Sequence, residues 1–303
     1  MMSPSEAARS AALIVEKGDF CTLVVSGSER REWLNGIVTA EVRGLEASQG
    51  VFSLLLTKQA KIVSELTIAA SADELYIGVP ASTLQSVKAM LEGLLIMEDA
   101  ELADRSADFA WLMLHGPRAL ELAEAVHRNG GVAAMAPIDW TGLGGAAIAV
   151  QRDERAKLID ALVSNGAVRS MPDDWLKLRI ERGLPAYGVD YDSHDNPHEA
   201  SLERRAISWT KGCYLGQEAV YMQDLRGKVK RRIVVLGLEA GEVPEPGTPV
   251  EQAGKTVGDV TSAARSERAA GPLVLARLST RALESDAPLT IGASVARPLD
   301  PLP

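Results

Sequence analysis

A short segment rich in glycine and charge contains one of the two cysteines of the chain: Lys211-Gly212-Cys213-Tyr214-Leu215-Gly216-Gln217-Glu218. The ammonium group of Lys211 and the unpaired N–H groups of a helix predicted to begin near Leu215 would both favour a thiolate at Cys213. The glycines would let the backbone approach a partner closely. From the residues alone we favour a small buried side chain, which is the usual state of a cysteine beside aromatic residues. A reactive or ligand-contacting Cys213 is the alternative.

A polar segment, Gly188 to His198, precedes this motif and contains three aspartates and two histidines. His194 and His198 have the i, i+4 spacing of a helical metal site, but Asn196-Pro197 lies between them and would break such a helix. We therefore predict a solvated loop here and no metal site.

Composition bounds the possible functions. The 303 residues are 46% hydrophobic and 24% charged, as in folded globular proteins, and this length predicts two or three subdomains. A net charge of −9 argues against a surface that attracts nucleic acid or anionic lipid over its whole area. Because Cys21 is the only other cysteine, the chain cannot build a disulfide framework or a cysteine-only metal cage.

Targeting signals are also weak. The first apolar run, before Glu16, is only five residues long, which is too short for a secretory signal. No apolar run approaches the ~18–20 residues that cross a bilayer. We expect a soluble, cytoplasmic protein.

Apolar periodicity predicts the elements that must position the motif. The predicted strands are 20–25, 51–56, 62–68 and 74–79, and the predicted helices begin at Ser28, as N-cap, and at Ser82. Between residues 108 and 170 the order is strand, helix, strand, strand, helix, which is the split βαβ arrangement of a ferredoxin-like unit. A further helix is predicted from Pro172 to Arg182, and short β-type runs between prolines and glycines predict an all-β domain over about 233–299.

The motif at 211–218 matches the signature K-G-C-[FY]-x-G-Q-E of the YgfZ folate-binding proteins, which are relatives of the glycine-cleavage T-protein, an aminomethyltransferase. Residues 178–188 resemble the R-x-E-x-G-x-P-x-x-G segment of that family. Residues 33–39 resemble its F-L-x-x-x-x-T segment, and residues 57–61 its P-K-G-K turn. The resemblance extends over about residues 18–299.

This resemblance implies an α+β, aminomethyltransferase-like fold. In such a fold, ferredoxin-like and Greek-key subdomains form a ring around a central channel for tetrahydrofolate, and a small C-terminal β-barrel follows. The implied domains are an N-terminal α+β subdomain, a ferredoxin-like subdomain and the barrel: 1–100 completed by 171–232, then 101–170, then 233–303.

The resemblance also implies site residues. Glu181 matches the family carboxylate that pairs with the pterin, and one carboxylate can accept hydrogen bonds from both the ring N3–H and the 2-amino group. Cys213 and Lys211 are the candidate catalytic residues, and Arg205 and Lys211 could bind the carboxylates of the folate tail. The remaining candidate cofactor-binding residues are three aromatic side chains that could stack on flat rings, and one glutamine of the motif: Tyr187, Trp209, Tyr214 and Gln217.

One departure from the aminomethyltransferases affects the predicted chemistry. Their asparagine before the second helix aligns with Pro80, and their key aspartate aligns with Val87. Because an isopropyl group cannot accept or orient a proton, aminomethyl transfer through that aspartate is in doubt. Finding Asp73, Glu74 or Glu92 in the pterin pocket would restore a carboxylate.

The segment from Arg204 to Arg232 contains eight basic and two acidic residues, a net charge of +6. Such a patch could steer an anionic ligand such as polyglutamated folate, or RNA, although a solvated strand entry accounts for the charges equally well. No RNA-binding signature accompanies the strip Arg226–Arg232, so direct nucleic-acid binding is not expected.

Three hypotheses follow. The first is a YgfZ-type tetrahydrofolate-binding protein that supports iron–sulfur enzymes, including those of tRNA modification, with a conditionally reactive Cys213. The second is a folate-dependent one-carbon transferase or demethylase of the aminomethyltransferase class. The third is an interaction scaffold that uses the basic strip.

Overall fold

The computed structural model describes residues 2–128, 130–227, 229–269 and 271–301. The chain divides into two compact units: unit 1 contains 1–171 and 205–217, and unit 2 contains 172–204 and 218–303. The three domain boundaries expected from the sequence stay a prediction. Over the described residues, no helix combines the length and the apolar character needed to cross a membrane.

The first sheet of unit 1 is antiparallel. Its elements are β2 (Phe20–Ser26), α2 (Arg30–Asn35), β3 (Gly50–Leu56), β4 (Ile62–Ala70), β5 (Leu75–Pro80), α3 (Leu84–Gly93) and β6 (Glu101–Asp104). Among the described residues its strand order is β3-β4-β5-β2-β6. Hairpins join β3, β4 and β5, and β2 lies beside β5, which is a Greek-key arrangement. The strands and helices predicted here are confirmed, and only the short, polar β6 was not expected.

The core of this sheet explains why its two helices form. Trp33 and Leu34 of α2 are buried, as are Val87 and Leu91 of α3, four residues apart on one helix face. The predicted N-cap role of Ser28 is wrong. Its hydroxyl donates to Asp99, and α2 begins after a residue that makes no side-chain capping bond.

The second sheet of unit 1 has the ferredoxin-like order with one strand inserted. Its elements are α1 (Pro4–Ser10), β1 (Leu13–Lys17), β7 (Phe109–His115), α4 (Ala119–His127), β8 (Val132–Ala136), β9 (Gly145–Gln151), α5 (Arg155–Ser164) and β10 (Val168–Arg169). Within the described residues the order is β10-β1-β7-β9-β8. The predicted split βαβ pattern is present, and β1 pairs parallel with β10 and antiparallel with β7.

Unit 2 is built on a closed barrel. Its helices and strands, with two helices that cross a unit boundary, are α6 (Pro172–Glu181), α7 (Glu203–Ala206), α8 (Gln217–Arg226), β11 (Arg231–Leu238), β12 (Pro249–Gln252), β13 (Lys255–Arg265), β14 (Pro272–Ser279), α9 (Thr280–Leu283), β15 (Leu289–Ile291) and β16 (Ser294–Leu299). In the described part of the chain, six strands close in the order β11-β14-β13-β12-β15-β16. The predicted barrel and the predicted α+β fold class are confirmed.

The polar segment before α7 is largely buried, so the predicted solvated loop is wrong for most of it. Asp195 is 1% exposed and accepts hydrogen bonds from Arg231 and Arg277, while His198 is 3% exposed. His194 remains exposed beside Asp192. Charge pairing therefore lets these acidic side chains lie inside unit 2.

Candidate functional site

Lys211 is buried in unit 1, and its ammonium group is enclosed by main-chain oxygens. The side-chain Nζ donates to the carbonyls of Asn35 (2.8 Å), Val38 (2.8 Å) and Ala40 (2.6 Å). A lysine ammonium has three N–H donors, so these bonds use its whole capacity. Burial lowers the pKa of Lys211 to about 8. The catalytic role expected for Lys211 stays a prediction, and its geometry is that of an anchor.

Further bonds hold the same two stretches of chain together. The hydroxyl of Thr39 donates to the carbonyl of Ala206 (2.6 Å), and the amide of Ser208 donates to the carbonyl of Thr39 (3.0 Å). Gly216 has φ +84°, and a Cβ there would lie 2.5 Å from the carbonyl oxygen of Thr57. Glycine is therefore required at this position, and the stretch 206–216 is fixed at both ends.

Cys213 lies between these anchors and is exposed. Helix α8 begins at Gln217, two residues later than predicted, and the Gln217 side-chain amide donates to the Gly212 carbonyl (3.4 Å). Tyr214 is buried, with its ring 5.5 Å from Nζ of Lys211. The buried structural cysteine that the residues alone favour is therefore wrong, and Cys213 is exposed in unit 1.

Arg205 and Trp209 lie on the same stretch of unit 1. Arg205 is exposed and donates to the carbonyl of Trp140, and Trp209 is half-buried. Trp140 packs edge-on against Phe52 and His115, with ring centroids 6.3 and 5.8 Å apart. Burial lowers the pKa of His115 to about 3, so this aromatic cluster is uncharged at neutral pH.

Glu181 and Tyr187 belong to unit 2. Glu181 is the last residue of α6 and is 4% exposed, and its Oε1 accepts a hydrogen bond from the hydroxyl of Ser266 (2.5 Å). Tyr187 is half-buried, and its ring packs edge-on against Tyr191, with centroids 5.5 Å apart. Residue type alone favours an exposed glutamate on the helix surface, but Glu181 is buried.

Arg179, two residues before Glu181 in α6, forms a buried ion pair with Asp190. Arg179 donates to Oδ2 of Asp190 and to the hydroxyl of Ser262, at 2.6 Å each. Oδ1 of Asp190 accepts from the hydroxyls of Thr261 and Ser262, also at 2.6 Å. The sequence identifies Asp190 only as part of a polar loop. No sequence pattern identifies the hydroxyls of Thr261 and Ser262 on β13 as its partners or as partners of Arg179, because they are 71 to 83 residues away in the chain.

Two arginines at the end of the basic segment form ion pairs within unit 2. Arg231 pairs with Asp195, and Arg232 pairs with Glu203. Lys228 lies outside the described residues. Among the residues that are described, no three side chains of histidine, cysteine, aspartate or glutamate are grouped so that they could hold a metal ion.

The position that aligns with the aminomethyltransferase aspartate is apolar and inside unit 1. Val87 is fully buried in the core beneath α3. Asp73 is exposed, Glu74 accepts a hydrogen bond from the Tyr76 hydroxyl (2.6 Å), and Glu92 lies 3.9 Å from Lys88. Val87 therefore packs in the core of unit 1 and offers no carboxylate.

Known proteins resemble the chain over nearly its whole length. A chloroplastic protein of Arabidopsis thaliana is 26% identical over 302 residues, covering 93% of this chain and 69% of its own length. The aminomethyltransferase of Nostoc sp. is 25% identical over 308 residues, with 94% and 82% covered.

A solved structure shares the fold. The glycine cleavage system aminomethyltransferase T from Bartonella henselae superposes with a TM-score of 0.81 at 19% identity, covering 98% of this chain and 87% of its own. The GCVT N-terminal domain model matches residues 3–211, and the glycine cleavage T-protein C-terminal barrel domain model matches residues 231–298. With its N-terminal two thirds and its barrel both matched, the chain belongs to the glycine cleavage T-protein (GCVT) family.

Proposed function

We propose that this chain binds tetrahydrofolate and acts as a folate-dependent transferase of the aminomethyltransferase class. The observation that carries the proposal is Glu181, a buried carboxylate held in place at the end of α6, at the position where the family segment has its pterin partner. A carboxylate suits this role because it can accept two N–H donors from one edge of a pterin. The names of the relatives support transfer of a one-carbon group better than any other activity.

Calorimetric titration with tetrahydrofolate tests the binding half. We expect Glu181→Gln to lower the affinity by about 100-fold, because an amide cannot accept both N–H donors as a charged fork. Glu242→Gln, at an exposed position of the same unit, is the matched control and should bind like the wild type. A wild-type protein that releases no heat and gains no thermal stability with tetrahydrofolate would contradict the proposal.

The transfer half is tested with an aminomethyl donor and tetrahydrofolate, by following methylene-tetrahydrofolate and ammonia. Since Val87 supplies no carboxylate, transfer in this chain must proceed without the group that the family has at that position. Val87→Asp does not test this, because it would place a charge in the apolar core.

A second candidate function is favoured by the exposed thiol. The motif around Cys213 matches the YgfZ type, and Cys213 is accessible while Val87 is not a carboxylate. In this alternative the protein supports iron–sulfur enzymes, including those that modify tRNA, and folate is bound but not necessarily turned over. The two candidates are distinguished by measuring the activity of iron–sulfur enzymes in cells whose only copy of this protein carries Cys213→Ser. This activity should fall in the second candidate function and stay unchanged if the protein is only a transferase. The cytoplasmic location is part of the same proposal.

A further inference from the structure

The hydroxyl of Ser266 donates a hydrogen bond to the Glu181 carboxylate. Ser266 follows β13 and is 5% exposed, so its bond of 2.5 Å to Oε1 of Glu181 is shielded from water. A hydrogen bond from a hydroxyl to a carboxylate is stronger than one between neutral groups. This bond therefore restricts where the carboxylate of Glu181 can point.

The surrounding turn fixes the direction of that bond. The oxygen of Ser266 accepts the amide N–H of Arg268 (3.1 Å) and of Ala269 (3.3 Å). A serine hydroxyl has one proton and two lone pairs. With both lone pairs facing amides, the proton is directed at Glu181, and the amides polarise the O–H bond towards the carboxylate.

A separate set of contacts attaches α6 to the barrel. Arg179, two residues before Glu181, binds Asp190 and the Ser262 hydroxyl, and Asp190 accepts from Thr261 on the same strand. These bonds do not involve Ser266. Removal of the Ser266 hydroxyl therefore leaves these bonds of α6 in place. It releases the Glu181 carboxylate and deprives the amides of Arg268 and Ala269 of that acceptor.

We propose that Ser266 is a positioning residue that holds the carboxylate of Glu181 in the orientation that accepts the N3–H and 2-amino groups of a pterin. This inference rests on the proposed function. A glutamate loses rotamer freedom when it binds a ligand, and a side chain that is already ordered avoids this loss. The barrel thus contributes to ligand selection through one hydroxyl on the turn after β13.

The test compares two ligands and three variants. The ligands are tetrahydrofolate and the analogue that lacks the 2-amino group, and the variants are Ser266→Ala, Ser266→Thr and Ser294→Ala. Ser294 is a matched control, because its hydroxyl donates to the carbonyl of Ala240 in the same unit and is exposed. Thermal unfolding of each variant establishes that it is folded.

We expect Ser266→Ala to weaken tetrahydrofolate binding by about tenfold and binding of the analogue by much less, because only the first ligand needs both acceptor positions of the carboxylate. The dissociation constant of the analogue divided by that of tetrahydrofolate should therefore fall in Ser266→Ala, and Ser266→Thr should restore this ratio. Ser294→Ala should leave the ratio unchanged.

An equal loss for both ligands would overturn the inference, because it indicates a structural role, and so would an unchanged affinity for tetrahydrofolate. Either result leaves the proposed function standing. A wild-type protein that does not bind tetrahydrofolate would overturn the proposed function itself, and this inference with it.

Discussion

Each unit buries a cation two residues before a candidate functional group, and the two cations have different partners. In unit 1, Lys211 precedes Cys213 and binds three neutral carbonyls. In unit 2, Arg179 precedes Glu181 and binds the carboxylate of Asp190. The first cation is held by main-chain dipoles, while the second has a counter-charge at 2.6 Å.

This difference teaches how each functional group is presented. The three carbonyl bonds attach Lys211 to residues 35–40, so the stretch 206–216 is a fixed loop. Cys213 lies on this loop and is exposed to solvent. Arg179 instead binds the side chains of Asp190 and Ser262, besides the Leu184 carbonyl, in a buried polar cluster. Glu181, two residues later in the sequence, is buried as well. An exposed thiol suits encounter with a large partner, whereas a buried carboxylate suits recognition of a flat ligand edge.

Removal of the Arg179 charge should produce the largest effect on stability. Arg179→Met leaves Asp190 buried without its counter-ion, which costs about 3–5 kcal/mol in comparable pairs. The free energy of unfolding in urea measures this loss. Arg297→Met is the control, because Arg297 pairs with Glu239 in an exposed position and should change stability by less than about 1 kcal/mol. If both variants lost equally little, the contrast drawn between the two cations would not hold.

Lys211→Met should reduce the free energy of unfolding by about 3 kcal/mol. The reason is that the three buried carbonyls that accept from the ammonium group would all lose this hydrogen bond. Lys157→Met removes a lysine that is 81% exposed and should change little. Urea unfolding again gives the values. A loss for Lys211→Met no larger than that for Lys157→Met would mean that the carbonyl cage contributes nothing.

The burial of Lys211 also predicts that the stability of the protein depends on pH. Burial lowers the pKa of Lys211 from 10.5 to about 8. The unfolded chain therefore binds more protons between these two values, and stability rises with pH across this window. The free energy of unfolding of the wild type, minus that of Lys211→Met, should increase by at most about 3 kcal/mol from pH 8 to pH 10.5 and stay constant below pH 8. Parallel pH profiles for the two proteins would contradict the assigned cause.

Cys213→Ser should have the smallest effect on stability, within about 0.5 kcal/mol, because the thiol is exposed and outside the core. A thiol reagent should modify Cys213 at least about tenfold faster than Cys21, which is half-buried in β2. Peptide mapping after brief labelling measures the ratio. Faster labelling of Cys21 would show that the stretch 206–216 does not expose the Cys213 thiol.

The sequence allowed prediction of most of the elements, because their signals are local. The apolar runs of β2 to β5, the apolar face with Val87 and Leu91, and the proline and glycine spacing of the barrel are all local features of the sequence. The insertion of β1 between β10 and β7 was not predictable in this way, because Leu13 of β1 pairs with His115, 102 residues away, and with Val168, 155 residues away.

The candidate sites divide along the same line. The motif around Cys213 and the position of Glu181 could be found from short patterns. The carbonyl partners of Lys211 are 171 to 176 residues away in sequence, and Ser266 is 85 residues from Glu181, so no local pattern marks them. The sequence places Lys211 two residues from Cys213 and so suggests that its ammonium group acts on the thiol, whereas in the structure this group binds the carbonyls of the stretch 35–40.

The closed barrel has a consequence for how copies of this chain can associate. Each of its six described strands pairs on both sides, so this region offers no template for strand addition. The sheets of unit 1 end instead at β3, β6, β8 and β10. Any intermolecular sheet, whether a regulated complex or an early aggregate, should therefore nucleate in unit 1.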